Sequence, residues 1–234
     1  MLKLGVPSKG RLMEKTFDWF GARGVEIQRT GEEREYAGAV SGIAGVRLLF
    51  LSAGEIPREL AAGRIHLGVT GLDMVRERIP AWAAQIEALA PLGFGHADLV
   101  IAVPKAWIDV ETPGDLDAAA AAFRAAHGHR LRIATKYHRL VREYLRAEGV
   151  ADYALVDSQG ATEGTVANGT AEAIADITSS GDTLRANHLR PLSTPPVLRS
   201  EATLFRARGA DWSADARAAF SDLAAKIGVD TARE

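Results

Sequence analysis

Ala171-Glu-Ala-Ile-Ala-Asp-Ile-Thr-Ser-Ser-Gly-Asp-Thr-Leu-Arg-Ala-Asn187 reads as a short apolar strand, a turn of small hydroxylated residues, and a helix beginning near Thr183. That order decides the fold class, because the chain repeats it. Leu2–Val6 precedes a helical pattern over 12–23, Val46–Leu51 a short helix over 55–62, and Ile65–Val69 a helix over 72–78. Leu99–Val103 and Leu131–Ala134 continue the series of strands. Strands alternating with helices make βαβ crossovers, which predict an α/β protein with parallel sheets. Val197–Ala207 alternates like an edge strand. Ser213 caps a terminal helix whose Phe220, Leu223 and Ile227 are spaced for one buried face. The alanine-rich piece from Ala118 to Ala126 reads as a plain surface helix.

Composition narrows the function. The chain has 234 residues, and 28 basic against 30 acidic side chains leave a net charge of −2. Such a balance argues against a nucleic-acid partner, which would call for a basic face. No run approaches the length of a transmembrane helix, and the amino terminus turns polar too soon for a signal peptide. The expectation is a cytoplasmic protein away from membranes. With no cysteine, disulfides, thiol catalysis and cysteine-held metals are excluded. His127 and His129 sit two apart without nearby carboxylates and read as a solvated loop, so no metal site is expected.

The turn after Asp176 suits an anion. Free N–H groups at a helix start point toward a phosphate, and Gly181 lets the backbone come close. The hydroxyls of Thr178, Ser179, Ser180 and Thr183 add donors. Asp176, with Glu172, would repel a phosphate but would accept both hydroxyl protons of a ribose diol. The segment thus suggests a ribose 5-phosphate pocket, although ordinary capped turns favour the same residues.

Other loops follow strands in the same way. Gly5-Val-Pro-Ser-Lys-Gly-Arg-Leu12 puts Lys9 and Arg11 at a strand's carboxyl end, where open α/β sheets hold ligands. Leu67-Gly-Val-Thr-Gly-Leu-Asp73 ends a strand at Gly71 and places Asp73 at a helix start, where it would also complement the helix dipole. Thr135-Lys-Tyr137 follows Leu131–Ala134, and Glu163 is a lone carboxylate among small residues. Parallel strands aim such loops at one crevice. There is neither a GxxxxGK[ST] loop nor a GxGxxG after the first strand.

These segments together resemble the ATP phosphoribosyltransferase family. From Glu163 the pattern Glu-x5-Gly-x2-Glu-x3-Asp-x2-Ser-x-Gly-x-Thr-Leu184 is similar to that family's phosphoribosyl pyrophosphate signature. Pro7-Ser-Lys-Gly-Arg-Leu12, Gly68-Val-Thr-Gly-Leu-Asp73 and Ile133-Ala-Thr-Lys-Tyr137 resemble its other segments, in the same order. One departure stands out. Family members often carry Arg-x-x-Asp-Ile-Pro after the second strand, whereas Ser52-Ala-Gly-Glu-Ile-Pro57 lacks the arginine, leaving Arg47 or Arg58 as substitutes. After Ala207 only one helix and a tail remain, which looks like the family's short form.

The resemblance implies a two-lobed α/β fold similar to type II periplasmic binding proteins, with the substrate cleft between lobes. Residues 1–89 plus 186–234 would form one lobe and 90–185 the other. The implied reaction joins ATP to phosphoribosyl pyrophosphate, giving N1-phosphoribosyl-ATP and pyrophosphate, the first step of histidine biosynthesis. Lys9 and Arg11 would stabilise the pyrophosphate and triphosphate, while residues 178–183 would hold the 5-phosphate. Asp176 or Glu172 would take the ribose hydroxyls, leaving Gly71, Asp73, Thr135, Tyr137 and Glu163 as cleft residues without fixed roles. Mg2+ would arrive with phosphoribosyl pyrophosphate. The implied partner is a regulatory subunit related to histidyl-tRNA synthetase, joined to a homodimer in a larger complex. A rival from another class is a non-catalytic two-lobed binding module, since fold alone does not fix function. Turnover with ATP separates the two.

Overall fold

The computed structural model describes residues 1–29, 37–158 and 160–230. The chain forms two α/β units, one of Met1–Gly95 with Glu201–Glu234 and one of His96–Ser200. The first contains β1 (Leu2–Pro7), α1 (Gly10–Gly21), β2 (Glu26–Arg29), β3 (Ala37–Ser41), β4 (Val46–Leu51), α2 (Ile56–Ala61), β5 (Leu67–Gly71), α3 (Leu72–Arg78) and β6 (Ile86–Pro91). The second contains β7 (Ala97–Pro104), α4 (Pro113–His127), β8 (Leu131–Thr135), α5 (His138–Ala147), β9 (Tyr153–Asp157), α6 (Gly164–Ala167), β10 (Ala173–Thr178), α7 (Asp182–Ala186), β11 (Leu189–Pro191) and β12 (Leu198–Ser200). The chain then returns to the first unit with β13 (Ala202–Ala207) and α8 (Ala214–Ile227).

The first sheet has the order β2-β3-β4-β1-β5-β13-β6. β1 is parallel to β4 and β5, so all three end on the same edge. Apolar side chains alternate across the sheet and bury both faces. Leu4, Val6, Leu48 and Val69 meet Phe20 of α1 and Phe220, Leu223 and Ile227 of α8. Ile56 and Leu60 of α2 pack with Val75 of α3 and Phe205 on the other face. A Cβ on Gly68 would lie 2.6 Å from an Ile56 methyl, so only glycine lets α2 approach this closely. The Ser213 hydroxyl accepts the Ala216 N–H at 3.3 Å, and Gly228 ends α8 in the left-handed conformation.

The second sheet runs β11-β7-β10-β8-β9, with β12 also paired to β7. β8, β9 and β10 are parallel, and β7 is antiparallel to β10. Ala134, Ile174, Leu184 and Leu189 lie in its core.

Three expectations change. The sheets are mixed rather than parallel, because β7 and β13 run against their neighbours. Val197–Ala207 is not one edge strand. It breaks at Glu201 into β12 and β13, which belong to different units, and β13 is inserted between β5 and β6. The chain changes unit at His96 and Glu201 rather than at residues 90 and 186. β11 and β12 both hydrogen-bond to β7, which holds residues 189–200 in the second unit. Leu92 N–H bonds to the Ala202 carbonyl, which holds the segment after β6 in the first.

Candidate active site

In the second unit, the parallel run of β10, β8 and β9 places the loops after each strand on one sheet edge. Thr135, Tyr137, Glu163, Asp176 and the 178–183 segment all belong to that edge. Thr135 has no exposed surface. Its hydroxyl donates to the Ala175 carbonyl at 2.6 Å and accepts the Tyr137 N–H at 2.9 Å. Tyr137 is buried as well. These two residues tie the end of β8 to β10 and fix the intervening Lys136.

Lys136 is the residue that sequence reading passed over. Its ammonium lies 3.4 Å from Asp176 Oδ2, while Asp176 Oδ1 accepts the Ile177 N–H at 2.8 Å. The Asp176 side chain is only 14% exposed. Burial and two fixed partners orient this carboxylate before any ligand arrives. Lys136 lies inside the Thr135-Lys-Tyr137 segment, and register brings it to Asp176: Ala175 pairs with Thr135, so the residues that follow each are neighbours.

The next turn is self-braced. The Gly181 N–H donates to Thr178 Oγ1 at 3.0 Å, and the Ser179 hydroxyl to the His96 carbonyl at 3.0 Å. Gly181 has φ of +73°, a conformation that strains other residues. The Ser180 hydroxyl donates to Asp182 at 2.6 Å, and the Arg185 guanidinium pairs with the same carboxylate. First the Ser180 bond and then Arg185 hold the Asp182 carboxyl below its ordinary pKa. Asp182 and Arg185, neither singled out in the sequence, thus add a neutral ion pair to this turn. Thr183 is exposed on α7. Glu163 is half-buried immediately before α6, with no side-chain partner among the described residues.

Glu172 is not brought to this turn. It precedes β10 at the opposite end of the sheet, and its carboxylate accepts Arg132 Nη2 at 2.5 Å and the Arg132 backbone N–H at 2.7 Å. Four residues of extended strand separate it from Asp176 by roughly 13 Å. Burial raises its pKa, but Arg132's hydrogen bonds outweigh that and leave the carboxyl below its ordinary value. Glu172 is a structural ion-pair residue, not a second ribose ligand.

In the first unit, β1, β4 and β5 also end on one edge. Lys9 is extended immediately before α1 and Arg11 lies in its first turn. Both are exposed and have no side-chain partner among the described residues. Gly10 between them has φ of +73° with open space around it. Gly71 precedes α3, and Asp73 is buried in that helix's first turn. The Thr70 hydroxyl donates to the Ala53 carbonyl at 2.9 Å, tying the end of β5 to the loop after β4. Where the family pattern has arginine, the Ser52 N–H instead donates to Glu55 at 2.8 Å. Arg47 cannot substitute, because it pairs with Lys3 near the amino ends of β4 and β1. Arg58 is exposed on α2. Arg78 comes nearer, its guanidinium 4.0 Å from the Cβ position of Gly54.

The family model described as HisG: ATP phosphoribosyltransferase matches residues 52–228. An ATP phosphoribosyltransferase of Cereibacter sphaeroides is 73% identical over 228 residues, covering 97% of this chain and 96% of that protein. Another, of Rhodopseudomonas palustris, is 50% identical over 213 residues, covering 91% of this chain but 66% of the longer relative. Among solved structures, the ATP phosphoribosyl transferase (HisG:HisZ) complex from Thermotoga maritima contains a similar chain, with a TM-score of 0.73 at 21% identity, covering 97% of this chain and 96% of that one. A histidine kinase sensor domain with similarity to periplasmic binding proteins gives 0.52 at 14% identity, covering 97% and 89%. At those identities the two structures speak to the fold alone, and they place it among two-lobed α/β proteins.

Proposed function

The chain belongs to the ATP phosphoribosyltransferase family, and on that premise we propose that it carries out the family's reaction, the first step of histidine biosynthesis. ATP and phosphoribosyl pyrophosphate give N1-phosphoribosyl-ATP and pyrophosphate. Adenine N1 attacks the anomeric carbon with its ring lone pair as the carbon–oxygen bond to pyrophosphate breaks. The electrons of that bond leave with pyrophosphate. N1 carries no proton in neutral adenine, so the attacking atom needs no base. What the protein must supply is positioning and stabilisation of charge on the leaving oxygens.

Asp176 accepts the ribose hydroxyls, and the turn from Thr178 to Thr183 receives the 5-phosphate. Lys136 balances the Asp176 charge and limits its repulsion of that phosphate. Lys9 and Arg11 take the pyrophosphate and triphosphate charge. Mg2+ enters as part of the phosphoribosyl pyrophosphate substrate. The likeness to a chain of a HisG:HisZ complex supports a regulatory partner subunit, and we also propose a homodimer of this chain inside a larger assembly.

The observation that carries this reading is the oriented Asp176–Lys136 pair directly before the Gly181 turn. Its test is the rate of N1-phosphoribosyl-ATP formation by Asp176→Asn. A loss of kcat/KM of at least about tenfold, or about 1.4 kcal/mol, is expected, with circular dichroism unchanged. Wild-type kinetics in that variant would remove the ribose assignment. Lys136→Met should raise the KM for phosphoribosyl pyrophosphate and leave the KM for ATP alone, with Lys136→Arg recovering most of the effect.

A further inference from the structure

In the first unit, the carboxyl end of β13 and the first turns of α8 enclose a hollow of about 380 Å3. β13 runs antiparallel to β5, so this hollow lies at the sheet edge opposite Gly71 and the loop of Lys9. Its floor is aromatic and fixed. The Trp212 indole N–H donates to the Ala207 carbonyl at 2.9 Å, and the ring lies 5.4 Å from Phe220. The edge of His66 meets Trp212 at 5.0 Å. His66 is itself held through both ring nitrogens, Nδ1 accepting from the Lys3 N–H at 3.0 Å and Nε2 facing the Asp211 carbonyl at 2.9 Å.

The walls carry Arg206, Arg208 and Arg217. Arg206 is largely buried and bound to Glu87 at 2.5 Å. Arg208 lies 3.9 Å from the same carboxylate, with nearly half its side chain exposed. Arg217 has no side-chain partner among the described residues. The described ion pairs of Arg206 and Arg208 both end on Glu87, and the exposed guanidinium groups of Arg208 and Arg217 keep donors for a ligand. Guanidinium groups only donate, so a complementary ligand presents acceptors. The fixed indole calls for a flat apolar body beside that acceptor head.

We propose that this hollow is a second ligand site, for a small molecule with a planar aromatic body and a phosphate monoester. The ring would lie on Trp212 and the phosphate between Arg208 and Arg217. A phosphate monoester carries about −1.5 to −2 charges near neutral pH, which suits the exposed guanidinium groups of Arg208 and Arg217. The site is separate from the loops assigned to the substrates and does not depend on that assignment.

The test titrates the full chain with phenyl phosphate and follows tryptophan fluorescence, with inorganic phosphate and phenol as controls. Saturable quenching by phenyl phosphate, absent in Trp212→Phe, is expected. Arg217→Gln lies on an exposed helix position and keeps the fold; it should weaken binding at least tenfold. Gly181→Val should leave it unchanged, which separates this site from the turn after β10. Three results would overturn the proposal: full affinity in Arg217→Gln, inorganic phosphate binding as tightly as phenyl phosphate, or no saturable signal at millimolar probe.

Discussion

At the edge of the first sheet Lys9 and Arg11 stand exposed without side-chain partners among the described residues, whereas at the edge of the second sheet Thr135, Asp176, Thr178 and Ser180 are each already engaged. The two edges use the same device, loops after parallel strands, but differ in what they hold in reserve. Unpartnered cations contribute little to folding, so their interaction energy is available to an arriving polyanion. Engaged hydroxyls and carboxylates have their orientation fixed by folding, which lowers the ordering cost on binding. The first edge is suited to charge that develops late in the reaction, the second to recognition of a defined sugar phosphate.

Substitutions should separate these two characters. The largest effect is expected at the first edge. Arg11→Gln should lower kcat/KM by about a hundredfold, about 2.7 kcal/mol, because a donor aimed at developing charge is lost. Its chemical unfolding midpoint should match wild type, since the side chain has no partner to lose. An equal loss of stability would show that Arg11 is structural and would erase the contrast.

Gly181→Val should affect both properties. A β-branched residue at φ of +73° costs about 1–3 kcal/mol of strain, and a Cβ would lie 3.0 Å from Arg185. The KM for phosphoribosyl pyrophosphate should rise at least about tenfold in initial-rate assays, while the KM for ATP should hold.

Glu172→Gln sharpens the comparison from outside the site. Breaking the bonds to Arg132 should lower stability by about 1.5–3 kcal/mol, measured by urea denaturation, without changing kcat/KM. The folded-state pKa of Glu172 lies below its ordinary value of 4.5. Its stabilisation is therefore complete above that pH and is lost as pH falls through the lower folded value. Glu172→Gln should show a shallower loss of stability under acid than wild type. The smallest effect belongs to Thr112→Ala. Removing the hydroxyl that accepts the Asp115 N–H at 3.2 Å should cost about 1 kcal/mol and leave every kinetic constant alone.

The strands with strong apolar runs were legible from sequence. Val46–Leu51 and the helix over 72–78 occur with the bounds read from their patterns. The hairpin of β2 and β3 was not read, since Glu26–Arg29 holds only one apolar side chain and its pairing is set by β3 lying against β4. β9 was missed because Tyr153–Asp157 is half-buried at a sheet edge and shows no decisive period. The direction of β13 depends on a return across units, which local pattern does not encode. Within the site, composition pointed to the Asp176 turn. It could not distinguish Glu172 from Asp176, because both are acids in one short stretch of sequence, and only their placement at opposite ends of β10 separates an ion pair from a site carboxylate. Lys136 lay inside a quoted segment, but only the register of β8 and β10 tied it to Asp176.

The most direct measurement of the central assignment is a thermal-unfolding titration of the full chain with Mg-phosphoribosyl pyrophosphate, run beside ribose 5-phosphate and pyrophosphate, for wild type and Gly181→Val. At about 100 times Kd, wild type should gain about 2.7 kcal/mol and exceed both controls, while Gly181→Val should need at least about tenfold more ligand for the same shift. Equal shifts in the two proteins, or a wild-type shift no larger than that with pyrophosphate, would contradict a phosphoribosyl site at the Asp176 edge.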